Sequence, residues 1–376
     1  MRCVKIFILS IVMLIGFNML CFAENEPADE YYQSFYRQSG AEELEDSLPD
    51  YVEKYLDDAG FSLSDYGSMI TASPKKLFET LINVAVNGLG GELRDMVAVA
   101  AIVIIAGVIR GMSVSDNLSS ALDVVIGSAV AVGIFTAFSG VISSGISAVS
   151  MLADFMLALI PVLAGIITAA GDPTLALTYS TFVMTAAQGA GQIARSIILP
   201  LCGAFAAFGI SASISPELKL TKLSELIKKT AIGTLSLVAT VFSALLGLKS
   251  LLAGSADSLA SKGIKLALSS GVPIVGGALS DAYSSIVGSL SLLKNTVGVF
   301  AVAAAVLAVL PCVAQLTVRI LFLKLIAIMS SALGDSSTGE SLETLSSALT
   351  VINSVIVFLL ALFTVSTGIV ISIKGG

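Results

Sequence analysis

Between residues 94 and 372 the chain is a succession of apolar runs, most of them near the ~20 residues that carry an α-helix across bilayer hydrocarbon. A segment in lipid must satisfy every backbone N–H and C=O internally, so it folds as a helix or as part of a closed barrel. These runs are continuous rather than alternating, which argues against barrel strands. The expected fold class is therefore all-α, a polytopic helical membrane protein. Candidate spans are 94–112, 122–142, 147–170, 174–194, 196–214, 230–248, 296–318, 320–333 and 347–372. Seven to nine crossings are predicted. Charge content agrees: 12% of residues are charged, against about 25% in soluble domains.

Residues 249–295 resist this reading. They are too apolar for a loop, yet carry Lys249, Lys262, Lys265 and Lys294 against Asp257 and Asp281. Two weak spans, a re-entrant hairpin or a pair of surface helices all fit the pattern. Re-entrant backbone is tolerated only under protein or beside water. Threading the runs from an external residue 24 puts Arg110, the basic loop 215–229 and Lys374 in the cytoplasm. It puts the Lys-free 334–345 outside, provided that 320–333 returns across the bilayer.

The N-terminus has the pattern of an export signal. Arg2 and Lys5 precede apolar residues 6–20, and Cys21-Phe22-Ala23 places small residues at the −3 and −1 positions of a cleavage site. The expected organisation is a signal peptide over 1–23, an acidic extracytoplasmic segment with an interfacial helix over 24–93, and a multi-span domain over 94–376. Residues 24–79 hold 14 of the 27 acidic residues against Arg37, Lys54, Lys75 and Lys76. Within them, 42–58 reads as short amphipathic helices broken by Pro49. The segment is either a solvated leader or a docking surface for an extracytoplasmic partner. Pro74 then opens a helix with Leu77, Phe78, Leu81, Ile82, Ala85 and Leu89 at helical spacing.

Several function classes lose support. The sequence holds no histidine, which removes the Ser-His-Asp and Cys-His mechanisms and His-ligated metals. It holds no GxxxxGK[ST] phosphate loop, so energy must come from a gradient or a partner. Cys3, Cys21, Cys202 and Cys312 form no CxxC pair, and no basic footprint for nucleic acid is visible. No catalytic role, cofactor or metal is expected.

The remaining candidates are residues of transport or packing. Pro161, Pro200, Pro273 and Pro311 each interrupt an apolar run and can kink a helix, and broken helices often line transport paths. Asp154 lies inside an apolar run, where a carboxylate needs water or a partner. It is either a proton or cation relay or a structural carboxylate paired with a base such as Arg195. Small residues four apart, Gly127–Ala131 and Gly140–Ser144, permit close helix contact and self-assembly into a homo-oligomer.

Particular stretches carry a family resemblance. They are Phe155-Met-Leu-Ala-Leu-Ile-Pro161, Arg195-Ser-Ile-Ile-Leu-Pro200-Leu, and Lys222-Leu-Ser-Glu-Leu-Ile-Lys-Lys-Thr-Ala-Ile-Gly233. The most specific runs from Pro273-Ile-Val-Gly-Gly through Asp281 to Leu292-Leu-Lys-Asn-Thr-Val-Gly298. Together with the order signal peptide, acidic segment, spans, the chain resembles the stage III sporulation protein AE family of endospore-forming Firmicutes. That resemblance implies a non-enzymatic membrane component of a sporulation-specific secretion channel joining mother cell and forespore, needed for late forespore development. It implies a place in the mother-cell-derived membrane around the forespore. The implied partners are the lipid bilayer, a secretion-type ATPase, small membrane proteins and ring-forming proteins. The alternative is an autonomous ion or small-solute transporter with Asp154 as its relay.

Overall fold

A computed structural model of the chain describes residues 29–65, 74–87, 92–111, 116–170, 191–214, 226–238 and 276–372, with a few isolated residues between them. Residues 1–28 lie outside this set, as do Pro273 and nearly all of 174–190 and 239–275. The expectations of a signal peptide, of a span at 174–194 and of structure in 249–275 fall there. All regular structure among the described residues is helical.

Three short helices open the described chain: α1 (Asp29–Gln38), α2 (Ala41–Asp46) and α3 (Asp50–Ala59). All three are amphipathic, and in α2 and α3 the acidic side faces outward. Tyr32, Tyr36, Leu44, Val52 and Leu56 are buried, while Glu42, Glu43, Asp50, Glu53, Asp57 and Asp58 are exposed. Two glycines make the tight turns. Gly40 (φ 76°) links α1 to α2, and Gly60 (φ 81°) ends α3, its N–H donating to Asp57 O at 2.9 Å. Only a residue without Cβ enters this left-handed region without strain. The Tyr32 hydroxyl donates to Leu63 O at 2.9 Å and closes the segment on itself. These helices form a cap whose apolar side rests on two much longer helices. The amphipathic pattern was legible; the partner of its apolar side was not.

Helix α4 (Pro74–Asn87) buries Leu77, Leu81 and Val84. Helix α5 (Glu92–Gly111) follows the expected 94–112 run. Beyond it the structure departs from the threading. Helix α6 runs unbroken over Asp116–Ala169, 54 residues, so the two spans expected at 122–142 and 147–170 are one helix. Pro161 lies inside it without ending it. A five-residue π-helix, Ala194–Ile198, leads into α7 (Leu199–Ile214), and residues 226–238 form α8. Helix α9 runs over Gly276–Ala332, 57 residues. It joins the segments 296–318 and 320–333, and it takes up 276–295, which are therefore neither loop nor hairpin. Helix α10 covers Ser336–Ser372, so the expected external loop 334–345 shrinks to a turn and the first helical turns of α10.

Four helical stretches are long and apolar enough to cross a membrane: Val124–Ala169, Gly191–Phe208, Ser285–Ala332 and Ser336–Gly368. Helix α9 is the hub. It packs most extensively on antiparallel α10, then on α6, α5, α4 and the cap, while α7 fills the space between α10 and α6. Small residues set the approach distances. A Cβ at Gly298 would meet the Ile371 side chain at 2.5 Å, and one at Gly145 would meet Ile352 at 2.6 Å. Of the small-residue pairs singled out by spacing, Gly127 and Ala131 face inward, but Gly140 and Ser144 are exposed, and a Cβ at Gly140 would meet nothing within 4 Å.

The α9–α10 turn is tightly specified. Gly334 (φ 89°) reverses the chain. The Asp335 carboxylate caps α10 by accepting the Thr338 N–H at 3.1 Å, and the Ser330 hydroxyl donates to Asp335 O at 2.9 Å. Five residues on, a Cβ at Gly339 would stand 3.0 Å from the Ala327 backbone oxygen. Backbone cannot yield as a side chain can. Gly339→Ala is expected to cost about 1–3 kcal/mol by overpacking, read as a lower Tm in mild detergent. An unchanged Tm refutes this contact.

The cap has its own pH limit. The Tyr36 hydroxyl donates to Glu45 Oε2 at 3.0 Å. Burial raises its pKa above the ordinary 10.0, and the charges of Glu45 and Glu42 add to this. A raised folded-state pKa means stability that is complete below pH 10 and lost as pH rises above it. Alkaline titration should release the cap, exposing its tyrosines to ultraviolet difference absorbance. Tyr36→Phe should shift that release to higher pH.

Candidate functional site

The cap, α6 and α9 meet along one seam, and of the residues singled out by sequence Asp154 and Pro311 line it. Its anchor is Tyr51 in the first turn of α3. Its hydroxyl donates to the Ala308 backbone oxygen in α9 at 3.2 Å and lies 3.5 Å from Met151 Sδ in α6. One phenol thus ties three elements together. Tyr51 stacks edge-on against Tyr55 at 6.3 Å between ring centroids. Burial raises the Tyr51 pKa as well.

Two adjoining hollows flank Tyr51. The first, about 280 Å³, is lined by the Leu48–Pro49 turn, Asp154, Phe155 and Ala305. The second, about 470 Å³, is lined by Tyr51 and Tyr55, by Ser143, Ser144 and Ser147 of α6, and by Pro311, Cys312 and Gln315 of α9. Met151 and Ala308 border both. The seam is apolar at one end and hydroxyl-rich at the other. Pro311 supplies no N–H to the Leu307 carbonyl. The helix nevertheless continues, and the half-buried ring faces the second hollow.

Asp154 and Arg195 form a pair. Arg195 Nη2 donates to Asp154 Oδ1 at 2.8 Å and to the Ser150 backbone oxygen at 2.9 Å. The guanidinium thereby joins the π-helix to α6, and Gly191 permits the approach, since a Cβ there would stand 3.1 Å from Ala153 Cβ. The π-helix has a local cause. Pro200 cannot donate to the carbonyl four residues back, and its ring crowds that carbonyl, so the preceding turn widens. Pro200 itself is exposed, as is Pro161. Asp281 lies on the second turn of α9, and its side chain is outside the described set.

Chemically, the seam can hold and orient; nothing in it supplies a nucleophile with a base. Among the described residues no group of three metal-ligating side chains gathers. Sequence reasoning singled out Asp154, Arg195 and Pro311, which lie on α6, the π-helix and α9. It did not find Tyr51, Met151 or Ala308. The available signal was the tyrosine-rich composition of an otherwise acidic segment.

The strength of the Asp154–Arg195 pair is open to measurement. Its side chains are 65% and 36% exposed, so solvent screens the attraction. A double-mutant cycle of Asp154→Asn with Arg195→Lys should give a coupling of about 1 kcal/mol or less. Arg195→Ala should cost more than Asp154→Asn, because it also leaves the Ser150 carbonyl without this donor. Equal losses would show that the Ser150 bond contributes nothing.

The family comparison adds what geometry cannot. A family profile described as stage III sporulation protein AE matches residues 65–374, from the end of the cap through α10. A Bacillus subtilis (strain 168) protein named stage III sporulation protein AE is 25% identical over 236 residues, 62% of this chain and 59% of the relative. The match therefore spans about three-fifths of that relative's length. No solved structure matches. With the profile covering most of the helical bundle, the chain belongs to the stage III sporulation protein AE family.

Proposed function

We propose that the protein is a non-catalytic, multi-pass membrane component of a secretion-type channel between mother cell and forespore, acting late in forespore development. The observation that carries this reading is the family match over residues 65–374, which takes in the α6 and α9 sides of the seam and every bilayer-length helix among the described residues. A sporulation role belongs to the family; the channel assignment is our inference. The proposed organisation is a signal peptide over 1–23, an extracytoplasmic segment over 24–93 and a membrane domain over 94–376. The proposed site of action is the mother-cell-derived membrane.

The seam supports a structural role within such a channel. It joins a charged cap to apolar helices through a phenol, and a screened ion pair beside it ties the π-helix to α6. Both hold elements in place. The partners of this reading are a secretion-type ATPase, small membrane proteins and ring-forming proteins of the same apparatus. The Arg195 guanidinium gives Asp154 a fixed partner, which supports positioning over relay as its task.

The test is affinity purification. A C-terminally tagged full chain, extracted in mild detergent from cells undergoing engulfment, should bring down the ATPase and ring proteins. Repeated recovery of the chain alone, with crosslinker present, would overturn the channel reading in favour of an autonomous transporter.

A further inference from the structure

Helices α6 and α9 are each far longer than the bilayer is thick. At 1.5 Å per residue, α9 rises about 86 Å, against roughly 30 Å of hydrocarbon. Where these rods enter lipid is legible from what they expose.

The chain's contacts fix a common axis. Arg319 of α9 lies 3.7 Å from Asp95 of α5 and 5.8 Å from the Phe138 ring of α6. Further along, Gly107 of α5 sits against Leu333, and Gly133 of α6 against Ile102. So α5, the first half of α6 and the last turns of α9 run side by side toward the Gly334 turn. On this stretch the outward positions are large and aliphatic or aromatic. Val97 and Ile105 of α5, Val132 and Phe135 of α6, and Leu325 and Ile328 of α9 are each more than half exposed. In the other half of α6 the exposed positions are polar or small, Asp154, Pro161, Gly165 and Thr168 among them, with Ile146 the one large aliphatic. There the cap also covers the bundle, and its outer side carries Asp50, Glu53, Asp57 and Asp58, which belong in water.

The apolar belt has one break, and the break has a direction. Lys324 is exposed on the edge of α9 that turns toward α10, as the Thr317–Asn353 contact one side-chain row away shows. The outward stripe of α10 at the same level is Glu340, Glu343, Thr350 and Ser354. Among the described residues the belt runs over α5, α6 and α9 and not over α10.

We infer that only the half of the bundle next to the Gly334 turn is immersed in hydrocarbon, through this belt, and that the cap and the turn lie on opposite faces of the membrane. The cap grips α9 at Ala308, and about 39 Å of unbroken helix separates that point from Gly334, more than the hydrocarbon thickness. The threading that placed the N-terminal segment and 334–345 on one side required a reversal near residue 319, and α9 has none there.

This inference rests on the reading of the protein as a membrane component, and the two fail differently. In full-length chain with its four native cysteines replaced, single substitutions Glu53→Cys, Ser336→Cys and Val132→Cys are exposed to a membrane-impermeant maleimide, in intact protoplasts and in inverted vesicles. All three positions are on the surface, and recovery in the membrane fraction checks folding. Glu53→Cys and Ser336→Cys should label at least tenfold better from opposite faces, and Val132→Cys from neither. Labelling of the first two from one face overturns the topology, and aqueous labelling at Val132→Cys overturns the belt. Release of the wild-type chain by alkaline carbonate would instead overturn membrane residence itself.

Discussion

The bundle depends on close approach of helices along α9. From Val297 to Leu307 every side chain is buried, and the run is Val, Ala and Gly with one Phe and one Leu. Small side chains let neighbouring backbones come near enough for dispersion to act over the whole length of contact. That is how one helix meets α10, α6, α5, α4 and the cap. The Gly339–Ala327 approach and the Gly334–Asp335 turn fix the antiparallel start of α10, so α9 and α10 form a preset pair on which the other helices assemble. Several polar groups within the pair are bonded. Asn353 donates to Thr317 at 3.2 Å, and Ser330 and Asp335 close the turn.

Against this apolar centre, the cap is held by different means. Its helices seat tyrosines against apolar surface, buried at Tyr32 and Tyr36 and partly exposed at Tyr51, and each hydroxyl finds an acceptor: Leu63 O for Tyr32, Glu45 for Tyr36 and Ala308 O for Tyr51. A tyrosine presents an apolar body with a polar tip, which suits a joint between a water-facing segment and a greasy rod. The seam that results is the place where an extracytoplasmic partner and the membrane bundle would be read by the same residues. This supports a component that couples layers of an assembly more than one that moves a solute by itself.

Helix content was legible in the sequence, while crossing number was not, for a physical reason. Hydropathy reports that a segment avoids water and is silent on whether protein or lipid replaces it. Residues 296–318 are as apolar as any lipid-facing span, yet they sit inside the bundle. The boundaries at 142–147 and 318–320 followed polar residues such as Ser143, Ser144 and Arg319. In the fold these are absorbed without a turn: the serines face the second hollow, and Arg319 is buried beside Asp95 and Phe138. The ion pair was legible because a carboxylate in an apolar run needs a counter-charge, and Arg195 stood at the junction of two other runs. Tyr51 was not, since nothing local marks which apolar surface an amphipathic helix will meet. The family, by contrast, was recognisable from short motifs spread along the chain.

An unbroken α9 also has a mechanical consequence. Taken as one rigid rod with the cap at Ala308, α9 carries a tilt from that level to its far end. A tilt of about 5° moves its end at Gly334 by about 3 Å, given a rise of 1.5 Å per residue. A push on the cap from one compartment would thus arrive as a lateral displacement in the other, with no bond in the helix broken. Two reversing spans in place of the one rod would have absorbed that motion at their turn.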